Sequence, residues 1–241
     1  MEQFYKETWK NDWFDMEYYN PTARHLQQEI LKICKTFKKI ETCLDIGCGS
    51  GINISHLIKN FPEWNYTGVD LSNEIFDLCD PSLKDKKNVV FKPLDIASNS
   101  VKKSYDFVLC NQVLEHIEDD TSAMHNIYKC TKKYLLITVP AGNFNKTSVI
   151  NGHVRHYSKQ KLEELVVNSG FSILKSFEWG FPFHNLYKHT LNFLPEEKQK
   201  MIGFGKYGFF KKLLSHLIYI LFYFNVFNKG HNIILLAKKV P

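Results

Sequence analysis

The run Cys43-Leu44-Asp45-Ile46-Gly47-Cys48-Gly49-Ser50-Gly51 constrains this chain more than any other stretch. An apolar strand ends in an acid and is followed by three alternate glycines, each of which lets backbone approach a ligand that a Cβ would exclude. A tight turn there delivers the chain from the carboxyl end of a strand into a helix, an arrangement that forms a pocket for a nucleoside cofactor. The spacing narrows the choice of ligand. Dinucleotide folds use G-x-G-x-x-G, whereas Ile52 stands where the third glycine of that pattern would fall. Asp45 would repel a pyrophosphate and suits a cationic ligand, either by direct attraction or by bonding N–H groups of the loop. Both features disfavour an NAD-linked dehydrogenase.

Beyond the loop, strand-like and helix-like runs alternate. Strands are expected over 42–46, 66–69, 89–91, 107–110, 134–139, 171–177 and 232–237, with helices over 52–60, 72–78, 121–130 and 159–168. Alternation of this kind means a parallel sheet with crossover helices. Pro140, Gly142 and Asn143 stop the fifth strand; Ser158 reads as the N-cap of the next helix and Gly170 as its end. With 241 residues, 44% of them apolar, one α/β domain with insertions is expected. Phe4, Tyr5, Trp9, Trp13, Phe14, Tyr18 and Tyr19 precede a helix opening at Pro21, read either as a cap over the pocket or as an amphipathic helix packed on the sheet. The connection over 179–230 is far longer than a hairpin needs. Within it, 213–227 is apolar nearly all round and flanked by Lys206, Lys211, Lys212 and Lys229. It falls short of the ~20 residues that span a bilayer, which leaves a buried core helix or one lying in a membrane interface.

Three further motifs follow the glycine loop in order: Val69-Asp70-Leu71-Ser72, then Asp95-Ile96 after Val89-Val90-Phe91, then the stretch from Tyr105 through Asn111-Gln112-Val113-Leu114-Glu115-His116. Together they resemble the class I S-adenosylmethionine-dependent methyltransferases, in their small-molecule branch, over 40–178 and the last strand near 232–238. The resemblance implies a Rossmann-like three-layer α/β sandwich: a seven-stranded, mostly parallel sheet with an antiparallel last strand. It divides a single domain into a cap over 1–40, a cofactor-binding core over 41–178, a helical insertion over 179–230 and the last strand over 231–241. It also implies S-adenosyl-L-methionine as cofactor, held by Asp45, Gly47, Gly49 and Gly51, by Asp70 and Leu71 at the ribose, by Asp95 and Ile96 at the adenine, and by Asn111. Arg24 is a candidate for the methionine carboxylate, the alternative being a solvated side chain.

Methyl transfer from a sulfonium asks the protein mainly to align the partners and to take a proton from the acceptor. His116 lies just past the fourth strand, where open α/β sheets place their ligands, and is the first candidate base; a structural, hydrogen-bonded histidine is the alternative. Glu115 reads as a group that orients it or as a solvated loop carboxylate. A second constellation, Asn151-Gly152-His153-Val154-Arg155-His156-Tyr157-Ser158, follows the fifth strand, with His153 as a second catalytic candidate and Arg155, His156 and Tyr157 as substrate contacts. Arg155 equally suits a helix-end ion pair. His153 and His156 lack a third ligand of convincing spacing, so no metal is expected.

The expected reaction is methylation of an oxygen, less readily a nitrogen, of a small molecule or a glycan or lipid precursor; a binding or scaffold module tethered to membrane is the reading outside enzymology. Although the formal charge is +6, Arg24 and Arg155 are the only arginines, and the Asn/Asp-Pro-Pro-Tyr/Phe tetrapeptide of base methylases is missing after strand four. Nucleic acid is therefore not an expected partner. Six cysteines without C-x-x-C pairing, and no apolar leader over 1–20, point to a reduced, cytoplasmic setting, with peripheral membrane contact through 205–228 as the further expectation.

Overall fold

Strand β1 (Thr42–Ile46) sits between β2 (Asn65–Asp70) and β4 (Tyr105–Asn111) and runs parallel to both. The computed structural model describes residues 14–71, 73–203 and 205–240; Phe4, Tyr5, Trp9 and Trp13 of the expected cap, and Ser72, lie outside the described residues. With β3 (Val89–Pro93), β5 (Thr131–Pro140), β6 (Phe171–Phe181), β7 (Val226–Phe227) and β8 (Asn232–Lys239), the sheet order is β3-β2-β1-β4-β5-β8-β6-β7. The first five are parallel, and β8 enters antiparallel between β5 and β6. Eight strands replace the expected seven. The extra one, β7, is a two-residue edge strand formed where the insertion returns beside β6, with Asn228 N donating to Glu178 O at 2.8 Å.

Successive side chains of a strand point to opposite faces, and here both faces are buried. Leu44, Ile46, Val108 and Cys110 pack towards α5 (Asp120–Cys130) and α7 (Lys159–Asn168) through Met124, Ile127, Leu162 and Val166. Cys43, Phe107 and Leu109 pack the other way, against α2 (Pro21–Cys34) and α3 (Ile52–Ile58), through Leu26, Ile30, Ile54 and Leu57. The helices begin where their caps say. Asn20 Oδ1 accepts from Thr22 N at 2.8 Å ahead of Pro21, and Ser158 Oγ accepts from Lys161 N at 3.2 Å. All six cysteines are buried and unpaired in disulfides.

The insertion folds as α8 (Phe183–Asn192), α9 (Glu196–Gly203) and α10 (Phe209–Leu221), followed by a 3₁₀ turn over Phe222–Phe224. The apolar run over 213–227 is thus not one helix. It breaks because buried Asn225 turns its Oδ1 onto Phe183 N at 2.8 Å and His184 N at 3.3 Å, satisfying the first donors of α8. The strand order reverses between β1 and β4, and at such a switch the crevice beyond the carboxyl ends of the strands is the natural ligand site.

Phe107 is wholly buried in the sheet beside Phe37, with ring centroids 5.1 Å apart. Phe107→Ala is expected to lower the free energy of unfolding by about 3–5 kcal/mol. Urea unfolding would show it as a shifted midpoint with little change in slope; a loss below about 1 kcal/mol would mean that this side of the sheet is not close-packed.

Candidate functional site

The turn after β1 is shaped by what it cannot accommodate. Gly47 has φ +63°, and a Cβ built on it would lie 2.4 Å from Val113 Cγ2, so the turn after β4 packs directly against backbone. That second turn is itself left-handed at Gln112, φ 57°, whose N–H donates to Thr138 O at 2.9 Å. Between the two turns opens a cavity of about 760 Å³. Gly47, Asp70, Leu71, Asp95, Ile96 and Asn111 wall one end, His116 and His153 line it further along, and Met16, Glu17 and Asn20 contribute from the cap.

Asp70 staples the floor: Oδ2 accepts from Gly49 N at 3.0 Å and Oδ1 from Leu71 N at 2.8 Å. Asp95 orders its own turn, accepting from Ala97 N at 2.9 Å and Ser98 Oγ at 2.7 Å, while Asn111 Oδ1 accepts from Thr138 Oγ1 at 2.5 Å. Gly49 and Gly51 do not line the cavity; Gly51 is the left-handed N-cap of α3, and a Cβ there would meet Phe91 at 2.9 Å. Asp45 is also set back from the wall. It is wholly buried on β1, neither carboxylate oxygen has a hydrogen-bond partner, and the loop N–H at Gly49 goes to Asp70 instead. Burial pushes the Asp45 carboxyl up to about 8, with neighbouring Asn53 acting the other way and Asp70 adding to the rise.

Glu17, which no spacing in the sequence singled out, reaches the same region from α1 (Phe14–Tyr19) and accepts a hydrogen bond from Ser50 Oγ. Desolvation pushes its carboxyl up to about 8, Ser50 opposes this, and Asp45 and Asp70 add to it. Arg24, by contrast, lies away from the cavity. Its guanidinium stacks 3.6 Å from the centroid of Tyr219 on α10, a cation–π contact that turns it from the ligand end.

The second constellation divides in two. Arg155 pairs with Asp120 at 2.5 Å and donates to Glu118 O, while Tyr157 donates to the same carboxylate at 2.6 Å. Both are thereby turned to the start of α5 and away from the cavity. His156 also lies off the cavity wall, as a support: its Nδ1 faces Gly142 O at 3.3 Å, and its Nε2 lies 3.1 Å from His153 Nδ1 and 3.0 Å from Ser148 Oγ. A carbonyl only accepts, so His156 carries its proton on Nδ1, His153 donates from Nδ1 to His156, and the lone pair of His153 is left on Nε2. His116 Nδ1 faces Gly152 O at 3.1 Å, which by the same reasoning places its lone pair on Nε2. Burial holds all three rings neutral, lowering His116, taking His153 to about 2 with help from His116 and His156, and taking His156 to about 4 with help from Lys188.

Beside the histidines lies Glu115, wholly buried with both oxygens unpartnered and pushed up to about 8 by burial, an effect that Lys188 of α8 opposes. Lys188 is in turn pulled down to about 8 by burial, with Glu115 working the other way. Glu115, His116 and His153 each offer a ligand atom within 4.8 Å of the others, so the fold supplies beside His153 the acid and second imidazole that sequence spacing did not. The charge of Lys188 acts on the same carboxylate and opposes a metal cation there.

A family model described as a methyltransferase domain matches residues 16–176. Over 127 residues the chain is 30% identical to a ubiquinone biosynthesis O-methyltransferase of Hydrogenovibrio crunogenus, a match covering 51% of this chain and 52% of that protein. Over 166 residues it is 25% identical to a malonyl-(acyl-carrier protein) O-methyltransferase of Priestia megaterium, covering 66% of this chain and 58% of that one. The chain thus spans about half the length of these curated relatives. Among solved structures, the N-methyltransferase NodS of Bradyrhizobium japonicum, in complex with S-adenosyl-L-homocysteine, is similar in fold with a TM-score of 0.65 at 14% identity, over 99% of this chain and 98% of that chain.

Asp45 keeps its proton in the fold up to about 8, whereas the ordinary value is 3.8. A folded-state pKa above the unfolded one gives stability that is fully present below the unfolded value and is lost as pH rises through the folded one. Asp45→Asn is therefore expected to remove part of the decline in unfolding free energy across that window, by up to about 1.4 kcal/mol per pH unit. Urea unfolding of parent and variant at a series of pH values reads the difference; parallel profiles would mean that Asp45 is ionised in the folded protein.

Proposed function

The chain belongs to the methyltransferase domain family, and from that premise we propose that it moves a methyl group from S-adenosylmethionine to an oxygen of a small molecule or of a glycan or lipid precursor. The observation that carries this reading is the cavity itself, which joins the glycine turn and the acids at the ends of β2 and β3 to two uncharged imidazoles. The residues present fit the cofactor. The Gly47 turn supplies backbone where a side chain has no room, Asp70 and Asp95 offer carboxylates to hydroxyl and amino groups, and Ile96 and Leu71 offer apolar surface to a base. Glu17 and Asp45, both drawn upwards in pKa by their surroundings, favour a cation over an anion at this end.

When bound, S-adenosylmethionine supplies a methyl group already activated on a sulfonium. What is left to the protein is alignment and the acceptor proton. His116 Nε2 takes that proton, with Nδ1–H held on Gly152 O, a bond that favours the imidazolium as it forms. His153, whose ring meets that of His116 edge-on at 4.9 Å, is the second candidate, the weaker base because burial and both neighbouring imidazoles lower it. Two neutral imidazoles suit a hydroxyl, which must lose its proton to become an effective nucleophile. The curated relatives named above both carry the O-methyltransferase description.

Calorimetry with S-adenosylmethionine and S-adenosylhomocysteine tests the first half; absence of binding by either at millimolar concentration would end the proposal. Gly47→Leu is expected to abolish binding, and Asp70→Ala to weaken it at least tenfold, or about 1.4 kcal/mol. For the second half, His116→Ala with an accepted substrate is expected to lower kcat by about 10²–10⁴ while cofactor affinity holds. Unchanged kcat in both His153→Ala and His116→Ala would remove the histidine base from the mechanism.

A further inference from the structure

Helix α10 is amphipathic the wrong way round for a helix packed on a soluble domain. Its inward face carries Ser215 and Tyr219, while its outward face carries Phe210, Leu213, Leu214, Leu217, Ile220 and Leu221, all exposed. These follow helical spacing and form one continuous apolar stripe. Phe209 at one end and Phe224 beyond the other extend it, with exposures of 76% and 67%. A monomeric soluble protein seldom leaves such a patch uncovered.

The inward face, where Ile218 packs on the core, also carries polar groups because they are hydrogen-bonded there. Ser215 Oγ donates to Tyr19 O, His25 Nε2 lies 2.7 Å from Tyr219 O, and the Tyr219 hydroxyl joins Gln28 and Tyr223. These bonds to α2 and to Tyr19, the last residue of α1 (Phe14–Tyr19), fix the rotation of the helix, so the outward stripe is specified by the fold. At 13 residues α10 is about 20 Å long, short of the ~30 Å hydrocarbon core. No helix among the described residues is long and apolar enough to cross a membrane.

Charge identifies the occupant. No Asp or Glu follows Glu197 in the chain, whereas Lys206, Lys211 and Lys212 stand at the start of α10 and Lys229 lies beyond its end. The Nζ atoms of Lys211 and Lys212 lie 3.9 and 4.2 Å from the ring centroids of Tyr207 and Tyr19, each ammonium over an aromatic face. An apolar stripe of this length with lysines at its ends and aromatics at its borders is the composition of a helix lying in the plane of a lipid interface. A second copy of the chain would bring the same lysines together with no acid from this segment to meet them, which disfavours self-association.

We propose that the outer face of α10 docks on an anionic lipid bilayer, with the helix parallel to the surface and Phe209, Phe210 and the leucines inserted among the acyl chains. The lysines then sit at the level of the headgroups. Docking does not depend on the transfer reaction, because none of these residues lines the cavity.

Flotation of the full chain with vesicles of phosphatidylcholine alone, or mixed with phosphatidylglycerol, is the test. Association is expected to be at least about tenfold stronger with the anionic vesicles and to weaken as salt is added. Leu214→Glu combined with Leu217→Glu should abolish it, with thermal unfolding of that variant confirming the fold. Phe210→Trp, at a site 82% exposed, perturbs no packing and gives an independent reading: a blue-shifted emission quenched by brominated lipids on anionic vesicles. Absence of flotation with anionic vesicles, or a Phe210→Trp emission unmoved by them, overturns the proposal. So does a dimer in analytical ultracentrifugation that the Leu214→Glu/Leu217→Glu variant disperses while vesicles are left unbound, since the stripe would then belong to a second copy.

Discussion

Everything at the ligand end of this molecule depends on a side chain that is missing. Because Gly47 has no Cβ, Val113 from the turn after β4 closes to a distance that any other residue would forbid, and the two turns at the reversal of strand order pack edge to edge. The cavity is the space they leave beyond that contact. Asp70 then holds the turn in register by receiving the N–H of Gly49, so one carboxylate both shapes the floor and stands on the cavity wall. Mutating the staple and mutating a ligand contact are the same act here, and a readout of binding has to be paired with one of folding.

The electrostatics of the cavity follow from a single cause acting on two kinds of group. Desolvation drives the carboxyls of Glu17, Asp45 and Glu115 up to about 8 and drives the imidazoles of His116, His153 and His156 down. Acids and bases near neutral pH are thus both biased towards their uncharged forms. A cation arriving beside Glu17 and Asp45 lowers the cost of ionising them, so ligand charge and protein charge are coupled at that end. At the other end Lys188 plays the corresponding part for Glu115, with each group's pKa drawn back towards its ordinary value by its partner.

What could be read from the sequence was what neighbouring residues decide. The strand before the glycines, the Ser158 cap, the helix over 159–168 and the last strand stand where local pattern put them, and the antiparallel entry of that strand is as the family resemblance implied. The residues placed differently are those whose partners are remote in the chain. Arg24 stacks on Tyr219, Tyr157 is drawn to Asp120, and Asp45 loses the loop N–H to Asp70, while Arg155 takes the helix-end ion pair that was one of its two readings. Glu115 shows the same limit in reverse: open to a reading as a solvated loop carboxylate, it is wholly buried and feels the charge of Lys188, which lies in the long insertion that offered no pattern to translate. Glu17 carried no signal, since an acid in an aromatic segment acquires meaning only once α1 lies over Ser50.

Helix α10 posed a question that periodicity cannot answer, because a run apolar nearly all round fits either a core or an interface. Packing keeps the outer face out of the core, through polar atoms. Were the helix rotated to bury Leu214 and Leu217, Ser215 would lose Tyr19 O, the Tyr219 carbonyl would lose His25, and Arg24 would lose the ring it stacks on. Each unsatisfied polar group left buried costs roughly 1–3 kcal/mol, comparable with the gain from burying one leucine. A few hydrogen bonds to α2 and Tyr19 are therefore enough to keep the leucines outside, and the fold accepts their exposure as the consequence of anchoring this insertion to the cap over the site.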